Sequence, residues 1–275
     1  MALIVNNNPA SIAAQRNLAI NTLSLNRSVE RLSSGLRVTR AADDAAGLGL
    51  SESLRAQIRS INQATRNASD GISLTQIADG AAATIGSLLA RLRELSSQSA
   101  SGTVGVTERS YIDLEFVALR SEIDRIAQVT EFNGQALTSG STISFSVAIG
   151  FRSGSGNTLD LALNDITTTS LGLSSVNVST SANATSALAN IDNAISAIAS
   201  ARAEYGSIQN RFEATIANLQ VTSENLTAAE SRIRDADIAL ETSIFTKNQI
   251  LVQAGIATLA QANTLPQQAL ALLRG

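Results

Sequence analysis

Residues 191–240 read IDNAISAIASARAEYGSIQNRFEATIANLQVTSENLTAAESRIRDADIAL, and every seventh position is apolar or aromatic: Ile191, Ile198, Tyr205, Phe212, Leu219, Leu226, Ile233 and Leu240. A seven-residue repeat held this long predicts one continuous helix with a narrow seam made for another helix. Fixing each backbone residue costs roughly 1–2 kcal/mol, whereas each buried seam residue returns about 1.5–3 kcal/mol. One such residue per seven does not offset that cost. The helix must bury its seam against other helices, and the rest of the chain is read for partners.

Toward the amino terminus three more helices are expected. The first starts after Pro9, with Ser11 as a candidate cap, and stops at Ser33-Ser34-Gly35. Its stripe holds Leu18, Leu25, Val29 and Leu32, and a linker from Leu36 carries Arg37, Arg40, Asp43 and Asp44. A second helix occupies about 49–100, with Leu54, Ile58, Ile61, Ala68 and Ile72 in one run. Leu74, Ile77, Ala81, Ile85, Leu88, Leu92 and Leu95 follow after a slight phase shift. After the glycine turn at 101–107, a third helix carries Ile112, Phe116, Leu119, Ile123 and Ile126.

The middle changes period. Ile143, Phe145, Val147, Ile149 and Phe151 alternate with small or polar residues, and residues 158–163 read as the return strand of a hairpin. Residues 171–184 are Ser/Thr-rich and read as irregular, with Asn177-Val-Ser179 and Asn183-Ala-Thr185 fitting an N-glycosylation triplet. The long helix then runs from about 187 to 237, and a last helical stretch is expected to kink or break at Pro266. The fold class is mainly α: a long-helix coiled-coil bundle with a small β-hairpin region.

Composition narrows function. The chain has no His and no Cys, which excludes Ser–His–Asp and Cys–His nucleophiles and zinc sites built on those ligands. With no Trp and 3% aromatic residues there is little to build a sugar platform, so no enzyme and no cofactor are expected. A net charge of −3 offers no basic field for nucleic acid. The apolar stretch at 250–262 is interrupted by Gln253 and Gln261 and is too short for a membrane span. Met1–Val5 lacks the basic start of a secretory signal, and Asn6 to Pro9 ends its apolar run, which taken alone suggests a cytosolic protein.

At both ends the residues resemble a known family. NNNPASI at 6–12, SLNRSVERLSSGL at 24–36 and AADDAAGL at 41–48 are similar to the amino-terminal region of bacterial flagellins. QNRF at 209–212, SRIRDADIA at 231–239, QIL at 249–251, QAG at 253–255, AQAN at 260–263 and LLR at 272–274 resemble the carboxyl-terminal region, and FNG at 132–134 a family turn. Only some fifty residues separate the halves, enough for the hairpin and a loop and too few for a typical outer domain.

The resemblance implies a filament subunit. Residues 1–47 would form the amino-terminal part of an inner-tube domain with its linker, 48–236 an outer-tube domain with a β-hairpin at 142–163, and 237–275 the carboxyl-terminal part of the inner tube. It also implies a homopolymer in the extracellular flagellar filament, reached by unfolded export through the flagellar type III apparatus without signal cleavage. The implied partners are an export chaperone, that apparatus, a filament cap and hook–filament junction proteins, with no nucleic acid and no membrane.

The seams assigned to filament-core assembly are Leu18, Leu25, Val29, Leu32, Leu36, Leu251, Ile256, Leu259, Leu265, Leu270 and Leu273. In a single chain they are expected to lack cover, so that the termini order only on polymerisation. Gln253, Asn263, Gln267 and Gln268 are candidates for a polar channel wall. Leu89-Ala-Arg-Leu-Arg-Glu-Leu95 resembles the flagellin surface read by Toll-like receptor 5, with Arg91, Leu95 and Glu115 matching its contact pattern. Alternative readings are a hook–filament junction protein and a helical signalling or scaffold module.

Overall fold

The structure, a computed structural model, describes residues 7–140, 143–151 and 156–272, except the side chains of Ile143 and residues 265–272. Five helices, α1 (Pro9–Ser34), α2 (Ala45–Ala100), α3 (Val106–Val129), α4 (Ser181–Arg234) and α5 (Ile238–Leu272), frame two small antiparallel strand pairs. These are β1 (Glu131–Phe132) with β2 (Gln135–Ala136), and β3 (Ile143–Ala148) with β4 (Thr158–Leu163). The chain divides into two compact units, Met1–Ala56 with Asn225–Gly275, and Gln57–Glu224.

The Gln57–Glu224 unit holds a continuous apolar core. Along α2 one line of buried positions, Ile61, Ala64, Ala68, Gly71, Thr75, Ala78, Ala82, Ile85, Leu89, Leu92, Ser96 and Ser99, steps by three and four, and Leu74, Ala81 and Leu95 are buried beside it. Of the second run expected after a phase shift, Leu74, Ala81, Ile85, Leu92 and Leu95 are buried and Leu88 half-buried, so the buried face widens there, while Ile77 is exposed. Gly71 and Thr75 occupy seam positions where an apolar reading steps sideways onto Ile72 and Ile77. Each buried hydroxyl is satisfied: Thr75 Oγ1 donates to the Gly71 carbonyl at 2.7 Å, Ser96 Oγ to Leu92 at 2.8 Å and Ser99 Oγ to Val178 at 2.6 Å.

Facing this seam, α4 buries Ala184, Ala187, Ile191, Ala194, Ile198, Ala201 and Tyr205, then Phe212 and Leu219. Large residues recur every seven with alanine between them, which lets the helices approach closely. Gly71 serves the same end, because a Cβ there would stand 2.6 Å from Phe212 Cζ. From α3, Ile112, Phe116, Ile123 and Ala127 complete the core.

Two segments depart from expectation. Residues 164–180 are not a solvated loop, since Ile166, Leu171, Leu173, Val176 and Val178 belong to the main core. Polar side chains of α3 hold this backbone down. Asp113 accepts from the Val178 N–H at 2.8 Å, Arg120 donates to the Val176 carbonyl at 2.8 Å, and Asp124 accepts from the Thr168 N–H at 2.8 Å and hydroxyl at 2.7 Å. Nor does the heptad helix reach Leu240, because α4 ends at Arg234 and Asp237 caps a new helix. Asp237 Oδ1 accepts from the Ala239 N–H at 2.9 Å and the Leu240 N–H at 3.1 Å.

That break is stitched to the end of α1. Gly35, at φ 71°, closes α1 and donates to the Arg31 carbonyl at 2.8 Å. Leu36 then pairs with Asp235 as an isolated antiparallel bridge, Arg37 N–H donates to the Arg234 carbonyl at 2.7 Å, and Ala236 N–H donates to Gly35 at 2.9 Å. At the other end of α1 the cap is Asn8 rather than Ser11, its side chain accepting from the Ser11 N–H at 3.1 Å with Pro9 in the first turn. α5 continues through position 266 to Leu272, so Pro266 does not interrupt it.

The hairpin matches strand period. β4 alternates exposed and buried, pointing Leu159, Leu161 and Leu163 inward, and β3 pairs with it from Ile143↔Leu163 to Ala148↔Thr158. Asn67 of α2 ties it down by donating to the Ala148 carbonyl at 2.9 Å. The β1–β2 turn places Asn133 at φ 51° and Gly134 at φ 76°, the two positive values that a tight hairpin turn requires and that Asn-Gly tolerates best.

Candidate assembly surface

α1 and α5 pack side by side within the unit Met1–Ala56 with Asn225–Gly275. Asn8 donates to the Ala262 carbonyl at 2.8 Å and Ser11 Oγ to Asn263 Oδ1 at 2.8 Å. A Cβ on Gly255 would meet Leu18 Cδ1 at 3.2 Å, Asn248 Nδ2 lies 3.5 Å from Ser28 Oγ, and Arg31 stands 3.6 Å from Glu241. Numbers rise along one helix as they fall along the other, so the pair is antiparallel.

Its interior is inverted relative to an ordinary core. Among the described residues of this unit, the buried side chains are polar at Ser11, Ser28, Ser51, Glu241 and Asn248, and apolar only at Val38 and Ala262. Large apolar side chains stand outside instead: Ile12 (65% exposed), Ile20, Leu23 (64%), Val29, Leu50, Ile238, Leu240, Ile250, Leu251 and Ile256. On α5 they spread around the helix, since Ile238 and Ile256 share one face and Ile250 and Leu251 lie on others. A helix apolar on all sides belongs in an interior. Each of these side chains is about half exposed and forgoes roughly half of the 1.5–3 kcal/mol that full burial returns.

The seams assigned from spacing fall into three groups. Leu18, Leu25, Leu32, Leu36 and Leu259 are half-buried within the unit; Val29 (48%), Leu251 (38%) and Ile256 (55%) are exposed. The side chains of Leu265 and Leu270, and residue Leu273, lie outside the described residues, as do the side chains of Gln267 and Gln268. Gln253 is exposed, while Asn263 takes the Ser11 hydrogen bond. Spacing analysis passed over the second apolar line on α1, Ile12, Ile20 and Leu23. Its signal was an eight- and three-residue spacing interrupted by Arg16.

Charged pairs fasten the unit beyond the helix crossing. Arg234 reaches Glu52 at 2.7 Å, and this hydrogen bond holds the Glu52 carboxyl below its ordinary range. Arg55 stands 3.6 Å from Glu230, and Arg40 grips Glu30 with two nitrogens at 2.7–3.1 Å. Exposed pairs of this kind contribute about 0–1 kcal/mol each and orient more than they stabilise.

In the Gln57–Glu224 unit the structure brings Arg91 and Glu115 together across α2 and α3. Arg91 Nε and Nη2 donate to Glu115 Oε1 at 3.0 and 2.9 Å, and Nη1 donates to Glu94 at 2.9 Å. Glu94 and then Glu115 raise the Arg91 guanidinium above its ordinary value. Leu95 does not share this surface. It is 1% exposed in the main core, because α2 turns that position toward the bundle, and a docked protein would have to unpack the helix to touch it.

Among the described residues no helix is long and apolar enough to cross a membrane, and no group of His, Cys, Asp or Glu side chains is placed to hold a metal ion.

With this geometry in place, comparison with known proteins gives one consistent result. The family model described as the bacterial flagellin N-terminal helical region matches residues 5–142, and that of the flagellin C-terminal helical region matches 188–273. The chain is 45% identical over 272 residues to a flagellin of Halalkalibacterium halodurans, covering 99% of this chain and all of the relative. It is 42% identical over 286 residues to the flagellar filament 33 kDa core protein of Treponema phagedenis, covering 99% of this chain and all of that protein. The crystal structure of Bacillus cereus flagellin superposes with a TM-score of 0.50 at 32% identity, covering 60% of this chain and 94% of that one. Helices at both termini, a hairpin between them and family matches at both ends lead to one assignment: the chain belongs to the bacterial flagellin family.

Proposed function

We propose that this chain is a structural, non-enzymatic subunit of the extracellular filament of the bacterial flagellum, and that its α1–α5 unit is the inner-tube element. One observation carries the assembly reading. The unit buries Ser11, Ser28, Glu241 and Asn248 while leaving Ile12, Ile20, Leu23, Ile250 and Ile256 to solvent. Copies stacked head to tail cover such faces without closing the array, as a heterologous assembly does. The Gln57–Glu224 unit, with its extensive core, serves as the surrounding layer. Relatives that carry the name flagellar filament core protein support the same reading.

The subunit leaves the cell unfolded through the flagellar export apparatus, escorted by a chaperone, and joins the filament between junction proteins and cap. A chain without a single Cys forms no disulfide that would obstruct such passage. Toll-like receptor 5 is a further partner, and Arg91 with Glu115 is the part of its contact pattern exposed on the folded unit. Loss of receptor binding in Arg91→Ala monomer supports that contact, and unchanged binding removes it.

The test of assembly is seeded growth. Purified monomer mixed with sheared filament ends elongates above a critical concentration, and amide exchange in α1 and α5 slows on incorporation. Full protection of both helices in dilute monomer, with no elongation on seeds, refutes the proposal.

A further inference from the structure

The line by which α1 and α5 meet is written in heptads on both sides. On α1, Ser11, Leu18, Leu25 and Leu32 are seven apart, as are Ala14, Asn21 and Ser28; all are buried or half-buried. On α5, Glu241, Asn248, Gly255 and Ala262 are seven apart and buried or half-buried, flanked by half-buried Phe245, Val252 and Leu259. Leucine repeating every seven residues specifies which face meets the partner and leaves the lengthwise position open. A slip of one heptad presents Leu25 where Leu18 was, with almost the same apolar contact.

We infer that Ser28, Arg31, Glu241, Asn248 and Gly255 are the register-determining residues of this helix pair, selecting one of several near-equivalent antiparallel alignments. Each alternative meets one of them. In the observed alignment Arg31 reaches Glu241 at 3.6 Å, Asn248 faces Ser28 at 3.5 Å, and Leu18 lies against Gly255. Slipping one heptad in one direction sets Glu241 opposite Ser24, seven residues short of Arg31, and Leu18 against Asn248 in place of Gly255. Slipping the other way sets Leu18 against Ala262 and carries Glu241 past Gly35, beyond the end of α1. Its carboxylate, 6% exposed in the observed pair, is then left without Arg31. A single buried polar residue is known to fix register in coiled coils at some expense of stability, and here several act in line.

This inference concerns one chain and stands whether or not the filament reading does. Because the protein has no Cys, engineered pairs report register without background. Leu18→Cys with Gly255→Cys reports the observed alignment, and Leu25→Cys with Gly255→Cys reports the slipped one. Both are made in the full chain and oxidised in monomer and in seeded polymer. With the polar residues intact, the first pair cross-links and the second stays at background. In a Glu241→Leu, Asn248→Leu background the slipped pair is expected to rise at least tenfold, toward the yield of the first. Arg31→Glu with Glu241→Arg is expected to restore single-register cross-linking relative to Arg31→Glu alone.

Slipped-pair yield that stays at background in the double-leucine chain, while the observed pair still cross-links, overturns the inference. Should that chain aggregate, Glu241→Gln with Asn248→Ala is read the same way. Failure of seeded elongation counts against the filament reading alone.

Discussion

Two glycines on the outside and inside of one helix give a sharp test of the α2–α4 packing. Gly71 and Gly80 both lie in the interior of α2, nine residues apart. Replacing either with Ala gains about 1 kcal/mol of helix propensity. At Gly80 nothing lies within 4 Å of the added Cβ, so the gain is realised. At Gly71 the Cβ would stand 2.6 Å from Phe212 Cζ and 3.0 and 3.1 Å from two neighbouring ring carbons. Ordinary contact begins near 3.4 Å, so the ring must retreat by most of an ångström. Phe212 is fully buried with Ala68 and Leu159 around it, and such overpacking costs roughly 1–3 kcal/mol.

Propensity cancels between the two variants, so Gly71→Ala should lie about 1–3 kcal/mol below Gly80→Ala. For a unit of this size that separates their Tm values by roughly 2–12 °C, with Gly80→Ala above the parent. Urea unfolding followed by helical circular dichroism measures the same difference. Gly71→Ala combined with Phe212→Leu should recover part of the loss, since a shorter side chain vacates the contact. Equal stabilisation by both alanine variants would show that Phe212 yields freely, and the close-packed seam would be wrong.

Leu23→Ser removes an exposed side chain, so monomer stability should move by less than about 0.5 kcal/mol. If Leu23, 64% exposed in one chain, is covered in the polymer, the lost contact of about 1–2 kcal/mol raises the critical concentration roughly 5- to 30-fold, read by sedimentation of seeded reactions. Burial pushes the Tyr205 phenol above its ordinary 10.0, and a backbone hydrogen bond to Asn164 opposes the shift without cancelling it. A raised folded-state value means that stability is intact below 10 and falls as pH rises above it, because the unfolded chain ionises first. Relative to its own value at about pH 7, the urea midpoint of Tyr205→Phe should therefore fall less than the parent's above pH ~10. Gly134→Ala, at φ 76°, forces a side chain into left-handed backbone and should cost roughly 1–2 kcal/mol in urea unfolding.

What sequence reading recovers here follows from what periodicity measures. Ile191, Ile198, Tyr205, Phe212 and Leu219 are large, apolar and seven apart, and all are buried. The hairpin is equally readable, because Leu159, Leu161 and Leu163 alternate with exposed neighbours. Reading fails where a seam position is small or polar. Gly71, Thr75, Ser96 and Ser99 are as buried as the leucines between them, yet their composition signals nothing. It fails again at 164–180, where Ser and Thr suggest solvent. There Asp113, Arg120 and Asp124, spaced seven and four along α3, satisfy the loop backbone and let Leu173 and Val178 reach the core. The end of α4, expected at about 237, falls at Arg234; the heptad continues through Ile233 and Leu240, and Asp237 supplies the cap of the next helix. Leu95 was assigned to a surface by motif alone, and burial decided otherwise.

The contrast between the two units explains why a filament subunit would divide its core so unevenly. In Gln57–Glu224 the large apolar side chains of α2, α3 and α4 build an extensive core within one chain, although Val106, Leu114, Val129 and Val221 remain exposed. Along α1 and α5 half-buried leucines are joined by hydrogen bonds and one ion pair, and a neutral hydrogen bond has a net worth of about 0.5–1.5 kcal/mol. Such contacts discriminate between alignments far better than they hold helices together. Ile12, Ile20, Leu23, Ile250 and Ile256 face outward, and in the proposed assembly another copy covers them. Ordering of the helix pair and addition to the polymer then form one equilibrium, tuned by subunit concentration. A polar seam suits that arrangement, because an apolar one would let two terminal segments lock together in any register before meeting the growing end. Filling the seam with leucine should therefore raise monomer helicity and slow seeded elongation together, a pairing of effects that a purely stabilising substitution would not produce.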